Sequence, residues 1–136
     1  MASLGALALL TDDCGSILLV QTTYDGHRWH LPGGYVEANE SPEETVVREL
    51  KEELDLTVEI LGLSSVAYKA YDPNISLVYR CRIASGSPVP DGKEIEACDY
   101  FPLDSLPSGL SERTRKIIDA RALNPREVNV VTFKQP

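Results

Sequence analysis

The alternation of apolar and polar residues along the chain predicts a series of β-strands. Two apolar runs, residues 4–10 and Ile17–Thr22, are joined by an Asp-Asp-Cys-Gly-Ser turn and predict a β-hairpin. Between residues 75 and 83 the period is two, which predicts a strand with one face in the core and the other in water. The expected core face carries Ile75, Leu77, Tyr79, Cys81 and Ile83, and the expected wet face carries Ser76, Arg80 and Arg82.

Further strands and loops follow from β-branched, aromatic and turn-forming residues. A short strand is predicted at residues 35–37 and a long one at 57–71, bulged at Gly62. A turn is predicted at residues 72–74 and a Pro/Gly/Ser loop at 85–92. Two more strands are predicted at 97–101 and 128–133, the second at a sheet edge.

Two helices interrupt the strands. Ser41 is a predicted N-cap, Pro42 fits the first turn, and Glu44 is placed to complete a capping box, so the first helix is expected over Pro42–Leu54. A second helix is expected over residues 111–122 with Ser111 as its cap. Strands, a helix, more strands and a second helix predict an α+β protein, a mixed-sheet sandwich with helices on opposite faces.

Composition limits the classes of protein that the chain can be. Its 136 residues fit a single domain, residues 1–136. A net charge of −8 argues against an extended nucleic-acid surface. Three cysteines without a CxxC spacing argue for a reducing compartment and against zinc. The apolar segment 4–10 lacks a basic flank and is too short for a signal peptide or a membrane span, so we expect a soluble, cytoplasmic protein with no membrane partner.

The predicted first helix concentrates carboxylates along one edge of its apolar stripe. Glu49, Glu52 and Glu53 are expected side by side, where the helix enters the body of the protein. Like charges three and four residues apart destabilise a helix by roughly 0.2–0.5 kcal/mol each, and a divalent cation would remove that repulsion. Oxygen ligands of this kind suit Mg²⁺, with Mn²⁺ as the other possibility. The alternative is a solvated acidic face balanced by Arg48 and Lys51.

The sequence around this helix matches a longer motif. Gly34 is followed after five residues by Glu40, and after seven more by Arg48-Glu49-Leu50, then Glu52-Glu53 and Leu56. This resembles the signature of the Nudix hydrolases, G-x5-E-x7-R-E-U-x-E-E-x-G-U, in which U is an aliphatic residue. The one departure is Asp55 in place of the last glycine. Asp tolerates the left-handed conformation that ends a helix, so we expect the turn to persist at a cost of about 1 kcal/mol.

The resemblance spans residues 4 to about 122 and implies an α/β/α sandwich and a Mg²⁺-dependent pyrophosphohydrolase. Such an enzyme cleaves a diphosphate bond in a nucleoside diphosphate linked to another moiety. The implied metal ligands are Glu49, Glu52, Glu53 and the carbonyl of Gly34, which follows Leu31-Pro32-Gly33 in a predicted tight turn. The partner is therefore a small nucleotide-type substrate, and a homodimer is compatible with the sequence.

Other residues are candidates for roles around the predicted metal. The resemblance implies a general base from the region of Glu94 or Glu96, and we prefer Glu94. Arg48 is expected to contact phosphate or to brace the carboxylates, and Glu40 to orient the loop or reach a metal through water. Substrate-binding candidates are Gly33, Gly34, Arg28 with its histidine neighbours His27 and His30, and, most weakly, Tyr71.

Two further classes of function remain open at this point. The chain could be a catalytically weak nucleotide-binding regulatory module that kept the fold, or an interaction domain without catalysis. The presence of Glu49, Glu52, Glu53 and Arg48 favours the enzyme, because neither alternative needs these charges.

Overall fold

The computed structural model describes residues 2–133 and contains eight strands and two helices. The strands are β1 (Leu4–Leu9), β2 (Ile17–Thr22), β3 (Trp29–His30), β4 (Gly33–Tyr35), β5 (Thr57–Lys69), β6 (Asp72–Ser85), β7 (Ile95–Phe101) and β8 (Asn129–Phe133). The helices are α1 (Pro42–Leu54) and α2 (Glu112–Leu123). A mixed five-stranded sheet has the order β4-β1-β6-β5-β8, and an antiparallel three-stranded sheet has the order β3-β2-β7.

The core consists of two layers, one under each helix. Val46, Leu50 and Leu54 of α1 pack in the first cluster with Leu18 and Val20, and Ile117 and Ile118 of α2 pack in the second with Ile17 and Leu19. Successive residues of β1 and β2 enter opposite clusters, because side chains alternate between the faces of a strand. The predicted α+β class, with a mixed sheet between helices in an α/β/α sandwich, is confirmed.

Both helix starts follow the predicted capping chemistry. The Ser41 hydroxyl accepts from the Glu44 N–H at 3.1 Å, and the Glu44 carboxylate accepts from the Ser41 N–H at 3.0 Å, which closes the capping box. Ser111 accepts from the Thr114 N–H in the same way at α2. Asp55 ends α1 at φ 56°, ψ 36°, so the left-handed cap persists without glycine.

The hairpin predicted from the first two apolar runs is confirmed only beside its turn. Thr11 bridges Ile17, and the Asp12 and Leu18 N–H groups donate to the Ser16 and Leu10 carbonyls. The two strands then separate, because β1 pairs with β4 and β6 while β2 pairs with β3 and β7 in the other sheet. Both faces of β1 are apolar and buried, so it occupies the interior of the larger sheet, where each edge needs its own partner. The turn sequence between the two strands does not indicate which distant strands each of them pairs with.

Two predicted boundaries and one predicted strand face are also corrected. The strand predicted at residues 35–37 is Gly33–Tyr35, so the two glycines lie in a strand instead of a tight turn. The turn predicted at 72–74 lies at residues 70–71, and Pro73 falls in a bulge of β6 that needs no N–H from it. The wet face predicted for β6 is partly wrong, because Ser76 and Val78 are buried beneath α2. The bulge at Gly62 and the edge position of β8 are confirmed.

No helix within residues 2–133 is long and apolar enough to cross a membrane. All three cysteines are free thiols.

Candidate active site

The glycine pair in β4 provides the closest approach of backbone to other groups in the site. Gly33 has φ 147°, and a Cβ built there would lie 2.8 Å from the Cα of Leu7. A Cβ on Gly34 would lie 2.5 Å from the Glu49 Oε1 atom. The Glu49 carboxylate therefore rests directly against the Gly34 backbone, in space that no side chain at position 34 could share.

α1 brings a second carboxylate to the same strand. Glu53 lies one turn after Glu49, on the same side of the helix, and only 4% of Glu53 is exposed. Its Oε2 atom accepts a hydrogen bond from the Gly33 N–H at 3.0 Å. Two carboxylates from one helix thus converge on two consecutive residues of β4.

The two carboxyl groups have unusual acidities. Burial raises the pKa of Glu53 to about 9, and the negative charge of Glu49 adds to this rise, while the Gly33 N–H opposes it. Burial also raises the pKa of Glu49, against the lowering effect of Arg48. A pair of buried carboxylates is unfavourable without a positive charge beside it, because each ionised group disfavours the other.

Arg48 organises the other acidic residues of the motif. Its Nε and Nη2 atoms donate to the two Glu40 oxygens at 2.7 and 3.0 Å, and its Nη1 atom donates to Glu49 at 3.0 Å and to Glu52 at 3.2 Å. Nη2 also reaches the Tyr35 carbonyl at 3.3 Å. Every nitrogen of the guanidinium is engaged, so the structure places Arg48 as a brace for carboxylates instead of a free phosphate ligand.

Glu40 anchors the loop before α1. Besides the two bonds from Arg48, it accepts from the Thr45 hydroxyl at 2.6 Å and from the Glu37 N–H at 3.2 Å. The hydrogen bonds from Arg48 and then Thr45 lower the pKa of Glu40 to about 2. This carboxylate therefore orients the loop and the arginine, as one of the two predicted roles requires.

Glu52 does not join the other two glutamates. Its side chain is 59% exposed, and its hydrogen bond is to Arg48. Within residues 2–133 there is no group of three His, Cys, Asp or Glu side chains arranged to hold a metal. The predicted convergence of three carboxylates is therefore wrong for this conformation, since the helix turns Glu52 towards solvent.

The donors that do converge still fit a hard divalent cation. Glu49 and Glu53 supply carboxylate oxygens, and burial keeps both pKa values raised even though Arg48 lowers that of Glu49, so a further positive charge would stabilise the ionised pair. The Gly34 carbonyl is less free than expected. Gly34 faces Ala6 in the ladder. Two residues away on either side, the Pro32 carbonyl accepts from Ala8 and the Val36 N–H donates to Leu4, and alternate residues of an antiparallel strand direct their backbone groups to the same neighbour, so the Gly34 carbonyl points towards β1.

The two candidates for a general base have different surroundings. Glu94 lies near enough for its charge to raise the pKa of Glu53 and of Glu49. Glu96 instead bonds to the His27 Nδ1 atom at 2.6 Å. The structure therefore brings Glu94 to the carboxylate pair and occupies Glu96 elsewhere.

A cavity of about 530 Å³ opens beside the carboxylate pair, and Gly33, Gly34 and Glu53 lie in its wall. The predicted substrate-binding residue Arg28 also lines it. Tyr71 does not, because it lies in the exposed turn between β5 and β6, and Tyr68 lines the cavity in its place.

Sequence reasoning missed Arg113 in the first turn of α2, whose side chain also lines the cavity. Burial lowers the pKa of Arg113. The one available signal was a basic residue two positions after the Ser111 cap, where a helix N-terminus disfavours positive charge.

Comparisons with known proteins identify the family to which this fold belongs. A sequence profile of the NUDIX domain matches residues 1–121. A MutT-like protein of Streptomyces ambofaciens is 30% identical over 122 residues, which are 90% of this chain and 75% of that protein. An NAD-capped RNA hydrolase of Pseudomonas aeruginosa is 36% identical over 88 residues, 63% of this chain but only 32% of that protein.

The crystal structure of a MutT NUDIX hydrolase from Burkholderia pseudomallei superposes with a TM-score of 0.79 at 32% identity, covering 88% of this chain and 97% of that one. The predicted resemblance is thus confirmed over most of the chain. Nudix hydrolases generally use divalent metals, which suits the carboxylate pair. The chain belongs to the Nudix family and is, by that membership, a hydrolase of phosphorus anhydride bonds.

Proposed function

We propose that the protein is a Mg²⁺-dependent pyrophosphohydrolase that cleaves a diphosphate bond in a nucleoside diphosphate linked to another moiety. The observation that carries the proposal is the pair Glu49 and Glu53, held against Gly33 and Gly34 at the edge of a cavity. Both carboxyls have raised pKa values, as expected for metal ligands in the absence of the metal.

Glu49 and Glu53 would hold the metal, with Glu52 joining them if it leaves Arg48. When bound, Mg²⁺ supplies positive charge to the diphosphate oxygens and lowers the pKa of a coordinated water. The Gly33 N–H fixes the Glu53 carboxylate, and Arg48 fixes Glu49. These two supports keep the ligands oriented, so that little rearrangement is needed during the reaction.

Glu94 is the group that we assign as general base. It lies near the carboxylate pair without an ion-pair partner among residues 2–133, and a base distinct from the metal ligands can accept the proton of the attacking water. Glu96 is less suited to this role because His27 holds it.

The substrate class is supported by the cavity and by the names of relatives. A volume of about 530 Å³ lies within the range of roughly 300–1,000 Å³ that small-molecule sites occupy. The relative from Pseudomonas aeruginosa is named for hydrolysis of NAD-capped RNA, and NAD is a nucleotide joined to another through a diphosphate. We further propose a cytoplasmic location, which three free cysteines support.

The test is a turnover screen over nucleoside diphosphate derivatives with Mg²⁺. We expect wild-type turnover of at least one of them, and a loss of about a hundredfold or more in Glu49→Gln and in Glu53→Gln. Asp119→Asn, which removes one exposed charge from α2, is the matched control and should retain activity.

Melting curves recorded in parallel separate loss of chemistry from loss of folding. Wild-type turnover in either glutamine variant would reject the metal assignment. Tight binding of these nucleotides without any turnover would instead support the regulatory module.

A further inference from the structure

The cavity has a second end, away from Glu53, that the hydrolysis of a diphosphate does not by itself explain. Tyr35, Gly5, Ser76, Ala67 and Val131 are aligned across the five neighbouring strands of the larger sheet and share one face. Three of these five positions carry no side chain or a small one. The sheet is therefore hollowed here, beneath the first turn of α2.

Arg113 extends from α2 into this hollow. Its Nη1 atom donates to the Ser76 Oγ atom at 3.3 Å, and this is its only hydrogen bond to residues 2–133. Its Nε atom is buried without a partner. A buried donor without a partner is destabilising, and more so when it is charged, so a ligand that accepts from this side of the guanidinium would be favoured.

Aromatic residues also line this part of the cavity, which suits a planar ring. Tyr24, Tyr35 and Tyr68 line the cavity, with 56% of Tyr24 and 68% of Tyr35 exposed. Exposed aromatic rings beside a guanidinium can stack on a nucleobase, and such stacking favours binding of the base. An inorganic anion would make no use of these rings.

Charge also favours a neutral ligand at this end. Asp25 lies near enough for its negative charge to raise the pKa of Arg113, and its Oδ2 atom is 3.3 Å from the His30 Nε2 atom. The arginine is thus partly compensated already, and Glu112 adds another carboxylate to the wall. A phosphate here would face two carboxylates, whereas a neutral base would not.

We propose that this end of the cavity, the hollow beneath α2, binds the base of the substrate, and that Arg113 selects a 6-oxopurine by donating from Nε and Nη2 to O6 and N7. Arginine recognises guanine through the same two acceptors in nucleic-acid complexes. Adenine presents an amino donor in place of O6, which would oppose the guanidinium. The inference rests on the proposed function, because it assigns the base of that nucleotide substrate.

Binding of nucleoside monophosphates without metal tests the inference independently of hydrolysis. By calorimetry, we expect GMP and IMP to bind wild-type protein at least about tenfold more tightly than AMP, the factor equivalent to about 1.4 kcal/mol. Arg113→Gln should bring the three affinities within about twofold of one another. Arg115→Gln, which removes an exposed arginine from the same helix, should leave the wild-type preference intact.

A second variant and a second ligand keep the result decisive. Arg113→Lys retains the charge but not the planar pair of donors, so the preference for GMP should fall in it as well. Equal affinities in the wild type, no binding of any monophosphate, or an unchanged preference in Arg113→Gln would overturn the proposal. Inorganic phosphate binding that depends on Arg113 and matches GMP in affinity would overturn it too. A wild-type protein that prefers GMP but hydrolyses nothing would reject the proposed function alone.

Discussion

Replacing Glu53 with glutamine should stabilise the metal-free protein at neutral pH while it removes activity. In the folded chain burial and the charge of Glu49 raise the pKa of Glu53 to about 9 from its ordinary value of 4.5. The unfolded chain ionises this group near 4.5, and the folded chain keeps it protonated at pH 7. The contribution of this group to stability is therefore largest below about pH 4.5 and falls as pH rises towards 9, because the unfolded state releases the proton first.

The size of the effect follows from the same two values. Between pH 4.5 and pH 7 lie about 2.5 pH units, each worth about 1.4 kcal/mol, so the carboxyl lowers the free energy of unfolding by about 3 kcal/mol at pH 7. Glutamine does not titrate, and its side-chain oxygen can still accept from the Gly33 N–H. Its NH2 group then needs an acceptor, which reduces the stabilisation. We therefore expect the free energy of unfolding at pH 7 to increase by about 1–3 kcal/mol.

The assay is urea unfolding in the presence of a chelator at several pH values between 5 and 9. The difference between Glu53→Gln and wild type should grow with pH, which isolates this carboxyl from all other titrating groups. Glu52→Gln is the matched control, since Glu52 is exposed and held by Arg48, and it should show no gain. A lower free energy of unfolding for Glu53→Gln at pH 7, or a difference independent of pH, would refute the reasoning.

Three further predictions test the helix end, the glycine and the cation. Asp55→Gly should be neutral or stabilising by up to about 1 kcal/mol in urea unfolding, because glycine adopts φ 56° freely and only the exposed ion pair with Lys51 is lost. Gly34→Ala should abolish turnover, because its Cβ would displace the Glu49 carboxylate, while the melting temperature shifts little if that flexible side chain yields. Millimolar Mg²⁺ should raise the wild-type melting temperature more than sodium chloride of equal ionic strength, and equal shifts, or the same shift in Glu53→Gln, would contradict a metal site.

The sequence predicted α1 with its correct ends because the relevant interactions are local. The capping box between Ser41 and Glu44 and the left-handed cap at Asp55 involve neighbours within one turn. The carboxylates of the motif were predicted as a group for the same reason. The spacing of the glutamates did not predict which of their side chains is buried. Glu53 is buried and Glu52 is not, because this depends on which side of the helix packs against β4.

The remaining errors concern pairing between distant segments. The predicted hairpin does not extend beyond its turn because β1 pairs with β4 and β6 instead of β2. The wet face predicted for β6 was wrong at Ser76, because α2 covers that residue. Arg113 was missed because an isolated arginine on a helix is usually solvated, and only the hollow in the sheet below it gives that residue a role.

The position of β1 has a consequence for how the chain folds. Leu4 pairs with Ile75, so β1 cannot complete its place in the sheet until more than half of the chain is available. The β5–β6 hairpin needs only neighbouring segments, and pairs of low sequence separation form faster. At synthesis rates of about 5–20 residues per second, the apolar segment 4–10 remains without its parallel partner for roughly 4–14 s. We therefore expect this interior strand of the folded sheet to be accessible to chaperones throughout that interval.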